Sequence, residues 1–143
     1  MRTRLTAGLC IVLCLAFVAC GDKDKNKDEG GGKASEACLQ TPAPIADPKF
    51  PAGFPDIGDV TWTLTQQTGP TQVVTGYTGD ALEDLYRENK ERFAEGGYKV
   101  TKSERDPHDA EVNFEGPNNT GQVALAEECQ GRRSVRVTIR PKS

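Results

Sequence analysis

Apolar and polar residues alternate along most of the chain after residue 59, and this period of two limits the fold more than any other feature. The first alternating segment places Val60, Trp62 and Leu64 on one face and Thr61 and Thr63 on the other. Successive side chains of a strand point to opposite sides of a sheet. The segment is therefore predicted to be a strand with a buried apolar face and an exposed threonine face.

The same period predicts five further strands. A turn at Gly69 and Pro70 joins the first strand to a second one at residues 72–77, as in a hairpin. Four more strands follow later in the chain, separated by turns that contain proline, asparagine or glycine. Their apolar positions are Tyr98 and Val100, then Ala110, Val112 and Phe114, then Val123 and Leu125, and finally Val135, Val137 and Ile139.

One segment between the second and third strands follows the helical period instead. Asp80 with Glu83 three residues later predicts a capping box at its start, and Gly96 with Gly97 predicts its end. Its stripe, with a spacing of three or four residues, consists of Leu82, Leu85, Tyr86, Asn89 and Phe93.

The predicted element order is therefore β-β-α-β-β-β-β, within a small domain at residues 59–143. Hairpin-length links between most strands make the sheet mostly antiparallel, and a single helix stripe can cover one of its faces. We expect a two-layer α+β fold with one helix packed on one face of the sheet.

The N-terminal residues are typical of an export signal. Arg2 and Arg4 precede a mostly apolar run at residues 5–19, and a small residue stands directly before Cys20. This pattern resembles the lipobox of bacterial lipoprotein precursors, although Phe17 stands where that family usually has leucine. An ordinary secretory signal is the alternative.

The resemblance implies that residues 1–19 are removed as a signal peptide and that lipid is attached to Cys20. The lipid would anchor the chain in a lipid bilayer at the bacterial cell envelope. Gly21 stands where an aspartate would retain such a protein in the inner membrane, so the resemblance favours an outer membrane where the cell has one. No later segment of the sequence is apolar enough to cross a membrane.

Two segments without helix or central strand are predicted between the anchor and the sheet. Residues 20–37 form a charged tether, which lacks the apolar side chains needed to offset the entropy of ordering. Residues 38–58 form a proline-rich arm, because prolines at this density exclude helix and central strand. Phe50 and Phe54 of this arm either cap one end of the core or stay exposed as a recognition segment.

Cys38 and Cys129 remain beside Cys20 once the signal is removed, and an exported location favours a disulfide between them. Removal of the signal also takes away two arginines, so that 16 Lys and Arg face 21 Asp and Glu, a net charge of −5. An acidic domain is poorly suited to nucleic acid, and we expect no nucleic-acid partner.

Candidates for catalysis are few. His108, the one histidine of the chain, lies near Asp106 and Asp109 in a turn and could act as an acid, a base or a metal ligand. The sequence lacks phosphate-binding loops, dinucleotide-binding glycines and Cys or His clusters, so we predict no cofactor and no metal site. A small hydrolase or metal-dependent enzyme that uses His108 with Asp106 or Asp109 is the alternative function.

The favoured function is a non-catalytic binding module whose partner contacts the exposed face of the sheet or the proline-rich arm. Arginine suits phosphate and carboxylate groups, so the expected partner is an envelope protein or a cell-wall polymer. For these side chains themselves, charge pairing between neighbouring strands on a solvated surface is the favoured role, and a platform for a partner is the functional alternative. The residues expected on this face are Thr61, Thr63, Glu111, Asn113, Arg136, Thr138 and Arg140.

Overall fold

The computed structural model describes residues 40–129 and 131–142, and its elements follow the predicted order, which confirms the α+β fold. The predicted signal peptide, the lipidated Cys20, the tether and Cys38 lie outside the described residues. The elements are β1 (Thr61–Thr68), β2 (Thr71–Thr78), α1 (Leu82–Glu95), β3 (Lys99–Arg105), β4 (Asp109–Glu115), β5 (Asn119–Cys129) and β6 (Arg132–Pro141).

The strands form one antiparallel sheet in the order β1-β2-β6-β5-β4-β3. Val74, Val137, Val123 and Val112 pair in succession from β2 to β4, and all four are completely buried. A fully buried side chain of this kind stabilises the fold by about 1.5–3 kcal/mol relative to an exposed one. This row of valines is therefore the centre of the core.

The helix α1 covers the half of the sheet formed by β3, β4 and β5. Leu82, Leu85 and Phe93 of its predicted stripe are buried. The Phe93 ring stacks on Phe114 of β4, with 4.4 Å between the ring centroids. The packing of the helix on one face of the sheet is thus confirmed.

The start of the helix differs from the prediction. Its N-cap residue is Ala81, and no side chain forms a capping hydrogen bond there, so the predicted capping box is wrong. The backbone N–H of Asp80 instead donates to the Thr78 hydroxyl at 3.2 Å. This contact holds Asp80 in the preceding turn, one residue too early to cap the helix.

The proline-rich arm packs on the helix side of the sheet. The Phe54 ring makes edge contacts with Phe93, Tyr98 and Phe114 at centroid distances of 5.6, 5.9 and 5.5 Å. It also stacks on Phe50 at 5.1 Å. Both aromatic rings of the arm therefore contribute to the core.

A bulge in β1 reverses the predicted orientation of Leu64. Trp62 pairs with Gly76, and Leu64 pairs with Thr75, the very next residue of β2, so Thr63 is an extra residue between them. Such an insertion moves the side chains that follow it to the opposite face. Leu64 is consequently 45% exposed on the face away from α1, and its predicted burial is wrong.

Candidate binding groove on the open face of the sheet

The face of the sheet away from α1, called the open face below, carries a groove with a volume of about 580 Å³. The groove crosses β4, β5 and β6 and reaches Thr101 of β3. Polar side chains form much of its wall: Asn113 and Glu115 from β4, Thr120 and Gln122 from β5, and Arg136, Thr138 and Arg140 from β6.

The strand order keeps Arg136 of β6 away from Glu111 of β4, because β5 lies between these two strands. Arg136 lies opposite Ala124 of β5, and Ala124 lies opposite Glu111 of β4. Two inter-strand spacings of about 4.8 Å each therefore separate the backbones of Arg136 and Glu111. The Glu111 carboxylate instead accepts a hydrogen bond from the Gln122 side chain at 2.8 Å. The alternative of charge pairing between β6 and β4 is wrong for Arg136.

The same arrangement recurs at Arg140. This residue lies opposite Thr120, which lies opposite Glu115. Lys142 Nζ binds the Glu115 carboxylate at 2.7 Å, and this hydrogen bond holds the pKa of Glu115 below its ordinary value. Among the described residues, neither Arg136 nor Arg140 forms an ion pair or a side-chain hydrogen bond, and both are exposed.

The residues predicted to form one binding face fall into two groups. Those of β4 and β6 come together, because Asn113, Arg136, Thr138 and Arg140 line the groove and Glu111 lies beside it.

The two predicted threonines of β1 lie outside this groove, on the far side of β2. Thr61 pairs with Tyr77 of β2. Thr63 is the bulge residue, and its hydroxyl donates to the Thr75 carbonyl oxygen at 3.2 Å. Both are therefore separated from the two arginines of β6.

Sequence reasoning missed three polar residues of the groove, Thr101, Thr120 and Gln122. Alternation could have found Gln122, because Val123 beside it is buried and successive side chains of a strand face opposite ways. Thr101 lies at a bulge in β3, where alternation fails.

His108 lies elsewhere, in the turn between β3 and β4, and pairs with neither of the expected aspartates. Its Nδ1 atom is 2.9 Å from Oε2 of Glu127 on β5. Arg133 donates to the other carboxylate oxygen at 3.3 Å. The hydrogen bond with His108, with a smaller contribution from Arg133, holds the pKa of Glu127 below its ordinary value. A catalytic role for His108 with Asp106 or Asp109 stays a prediction, and the geometry offers Glu127 instead.

Gln40, the first described residue of the chain, lies beside the hairpin of β5 and β6. Arg132 donates a hydrogen bond from Nη1 to the carbonyl oxygen of Gln40 at 2.8 Å, and it is the register partner of Cys129. Glu128 binds Arg132 Nε at 2.7 Å, and the guanidinium lies over the Tyr77 ring at 5.6 Å from its centroid. Arg132 thus ties the start of the arm to this end of the sheet.

In the part of the chain that the structure describes, no group of three or more His, Cys, Asp or Glu side chains could hold a metal ion. No helix there is long and apolar enough to cross a bilayer. No protein-family model matches the chain, and neither a curated protein nor a solved structure matches it. Its function must therefore be argued from the groove itself.

Proposed function

We propose that the chain is a lipid-anchored protein of the bacterial cell envelope that acts by binding and not by catalysis. Its open face contacts another envelope component through the groove on β4, β5 and β6. The observation that carries this proposal is the pair of exposed guanidinium groups of Arg136 and Arg140, for which the described part of the chain supplies no carboxylate.

Uncommitted arginines support binding for a chemical reason. A guanidinium group forms bidentate hydrogen bonds with carboxylate and phosphate groups. The neighbouring carboxylates of the sheet are already engaged, Glu111 by Gln122 and Glu115 by Lys142. No carboxylate of the sheet therefore competes with an anionic group of a partner for Arg136.

Photocrosslinking in the native cell tests the binding part of the proposal. A photoreactive residue at Thr138 lies in the groove, and one at Glu91 on the exposed side of α1 is the control on the other layer. We expect a discrete adduct from position 138 and none from position 91. A folded, lipidated protein that gives no adduct from Thr138 or from Ala124, which also lines the groove, would contradict the proposal.

The anchoring part rests on the lipobox resemblance at Cys20, which favours the outer membrane where the cell has one. Cys20→Ala is expected to abolish labelling with radioactive palmitate, to move the chain out of the membrane fraction and to remove the adduct at position 138. Cys14→Ala, inside the apolar run, is the matched control and should change none of these. Palmitate label retained after Cys20→Ala would show that this residue is not the lipid attachment site.

We also propose a disulfide between Cys38 and Cys129. Its support is the contact of Arg132 with Gln40, because Arg132 is the register partner of Cys129. Two extended residues span about 7 Å. A link of this length from Gln40 is compatible with the Cα separation of about 5.5–6 Å that a disulfide requires.

Cys129→Ser tests this bond. It is expected to leave Cys38 as a reactive thiol and to lower the free energy of unfolding by about 4–5 kcal/mol, since the bond would close a loop of roughly 90 residues. The double variant with Cys38→Ser should be no less stable than the single one. Two reactive thiols in the denatured but unreduced natural protein would contradict the pairing.

A further inference from the structure

The open face carries an apolar side chain as well as the two arginines. Among the described residues, Leu64 is the large apolar side chain that stays exposed. The bulge moves it to this face, and the hydrogen bond from the Thr63 hydroxyl to the Thr75 carbonyl oxygen holds the bulge in place. Thr75 pairs with Leu64 on one side and with Arg136 on the other, so the three residues form one row.

The register gives the spacing of these groups. Leu64 and Arg136 are two strands apart, about 10 Å. Arg136 and Arg140 are four residues apart along β6, about 13 Å. Thr138 lies between the two arginines and opposite Val73 of β2, which is half-buried. One apolar and two cationic contact points therefore lie within a single small patch.

We infer that this patch binds a protein partner that presents carboxylates to Arg136 and Arg140 and an apolar side chain to Leu64, an inference that rests on the proposed binding function. The buried centres of protein interfaces are more apolar than the rest of the protein surface, and interfaces are enriched in arginine. A uniformly anionic cell-wall polymer would use the arginines but leave Leu64 without a contact. Phe114, the one aromatic residue among those lining the groove, is 2% exposed and offers no face for a sugar ring.

Charge complementarity gives the contact its orientation. Without residues 1–19 the chain has a net charge of −5, so an acidic partner is repelled by most of its surface. The two guanidinium groups give this patch a positive charge on an otherwise negative chain. They therefore direct an acidic partner to this patch in preference to other parts of the surface. The affinity should consequently fall as salt is added, because screening weakens contacts between exposed charges.

Three model polymers separate the chemistries that the patch could recognise. The probes are a copolymer of glutamate and tyrosine, polyglutamate, and polygalacturonate as a carboxylate polysaccharide, each titrated into the full chain in detergent micelles. We expect the copolymer to bind most tightly. Arg136→Gln combined with Arg140→Gln should weaken its binding about tenfold or more. Arg87→Gln on α1 removes a charge from the other layer and should leave binding unchanged.

Leu64→Thr is the variant that tests the apolar contact. It should weaken binding of the copolymer about fivefold, because roughly half of a leucine side chain loses its contact, and leave binding of polyglutamate unchanged. Polygalacturonate bound as tightly as the copolymer would overturn the choice of a protein. Failure of the copolymer to bind better than polyglutamate would do the same.

The crosslink in cells separates this inference from the proposed function. Loss of a protein adduct at position 138 in the double arginine variant supports both. An adduct that persists unchanged in that variant overturns the inference and leaves the binding function intact. Absence of any adduct from the natural protein removes the binding function itself.

Discussion

Replacement of Gly121 by alanine is expected to destabilise the protein strongly, because this glycine lets β5 and β6 approach closely beneath the groove. A Cβ atom at this position would overlap the carbonyl oxygen of Thr138 on β6 and lie 2.7 Å from Cζ of Phe114 on β4. Neither obstacle moves easily. The oxygen belongs to the backbone, and the Phe114 ring is buried and stacked on Phe93.

The expected loss can be given a magnitude. Overpacking of a core costs about 1–3 kcal/mol. We expect the upper end for Gly121→Ala, about 3 kcal/mol, because relief requires the two central strands to separate. For a domain of roughly 100 residues this corresponds to a fall in Tm of about 12–24 °C. Urea unfolding of the full chain should show a lower midpoint with an unchanged slope.

Gly79→Ala is the matched control for this substitution. A Cβ atom on Gly79 would lie 3.8 Å from the carbonyl oxygen of Gly131, which is an ordinary contact. The free energy of unfolding should therefore change by no more than about 0.5 kcal/mol. A loss below about 1 kcal/mol for Gly121→Ala, or equal losses for the two variants, would refute the close approach of β5 and β6.

Two further predictions concern other parts of the structure. His108→Ala removes the hydrogen bond to Glu127 and should raise the pKa of Glu127 toward its ordinary value, as followed by the carboxyl carbon shift in NMR; an unchanged pKa would mean that the two side chains are not paired in solution. Because folding lowers this pKa, the stability contributed by the pair is full above the ordinary glutamate pKa and is lost as the pH falls through the folded value. Leu64→Thr should lower the free energy of unfolding by about 1 kcal/mol or less, and Leu85→Thr in the core by about 2–5 kcal/mol. If chemical denaturation showed equal losses of unfolding free energy for the two variants, Leu64 would have to be buried in the core.

The elements of the fold could be predicted because each one buries a single face, and this requirement is visible in the local pattern. The bulge in β1 could not be predicted from the local pattern, because it depends on contacts across the hairpin of β1 and β2. Gly76 of β2 has no side chain, and a Cβ atom there would lie 2.9 Å from the Trp62 ring and 2.8 Å from a methyl group of Val60. These two side chains occupy the free space above Gly76, Thr63 becomes the extra residue, and Leu64 turns to the open face.

The candidate site could be predicted only in part, for a similar reason. Alternation indicated that Arg136, Arg140 and Glu111 face away from the core, which depends on each strand alone. Whether these charges meet depends on the strand order, and β5 separates β4 from β6. The small side chain of Ala124 lies between Arg136 and Glu111 as a result. Uncommitted arginines are thus a property of the assembled sheet and have no signature in any single strand.

The position of β6 in the sheet determines when the protein can fold. This strand follows all the others along the chain, yet it lies between β2 and β5. Before β6 is available, the hairpin of β1 and β2 and the meander of β3, β4 and β5 share no strand and cannot join. The pairing of β2 with β6 must then close a loop that contains the helix and three strands, a contact between distant parts of the chain that forms slowly. The core is therefore completed only once β6 is present, and a chain truncated before residue 132 is expected to leave the facing edges of β2 and β5 unpaired.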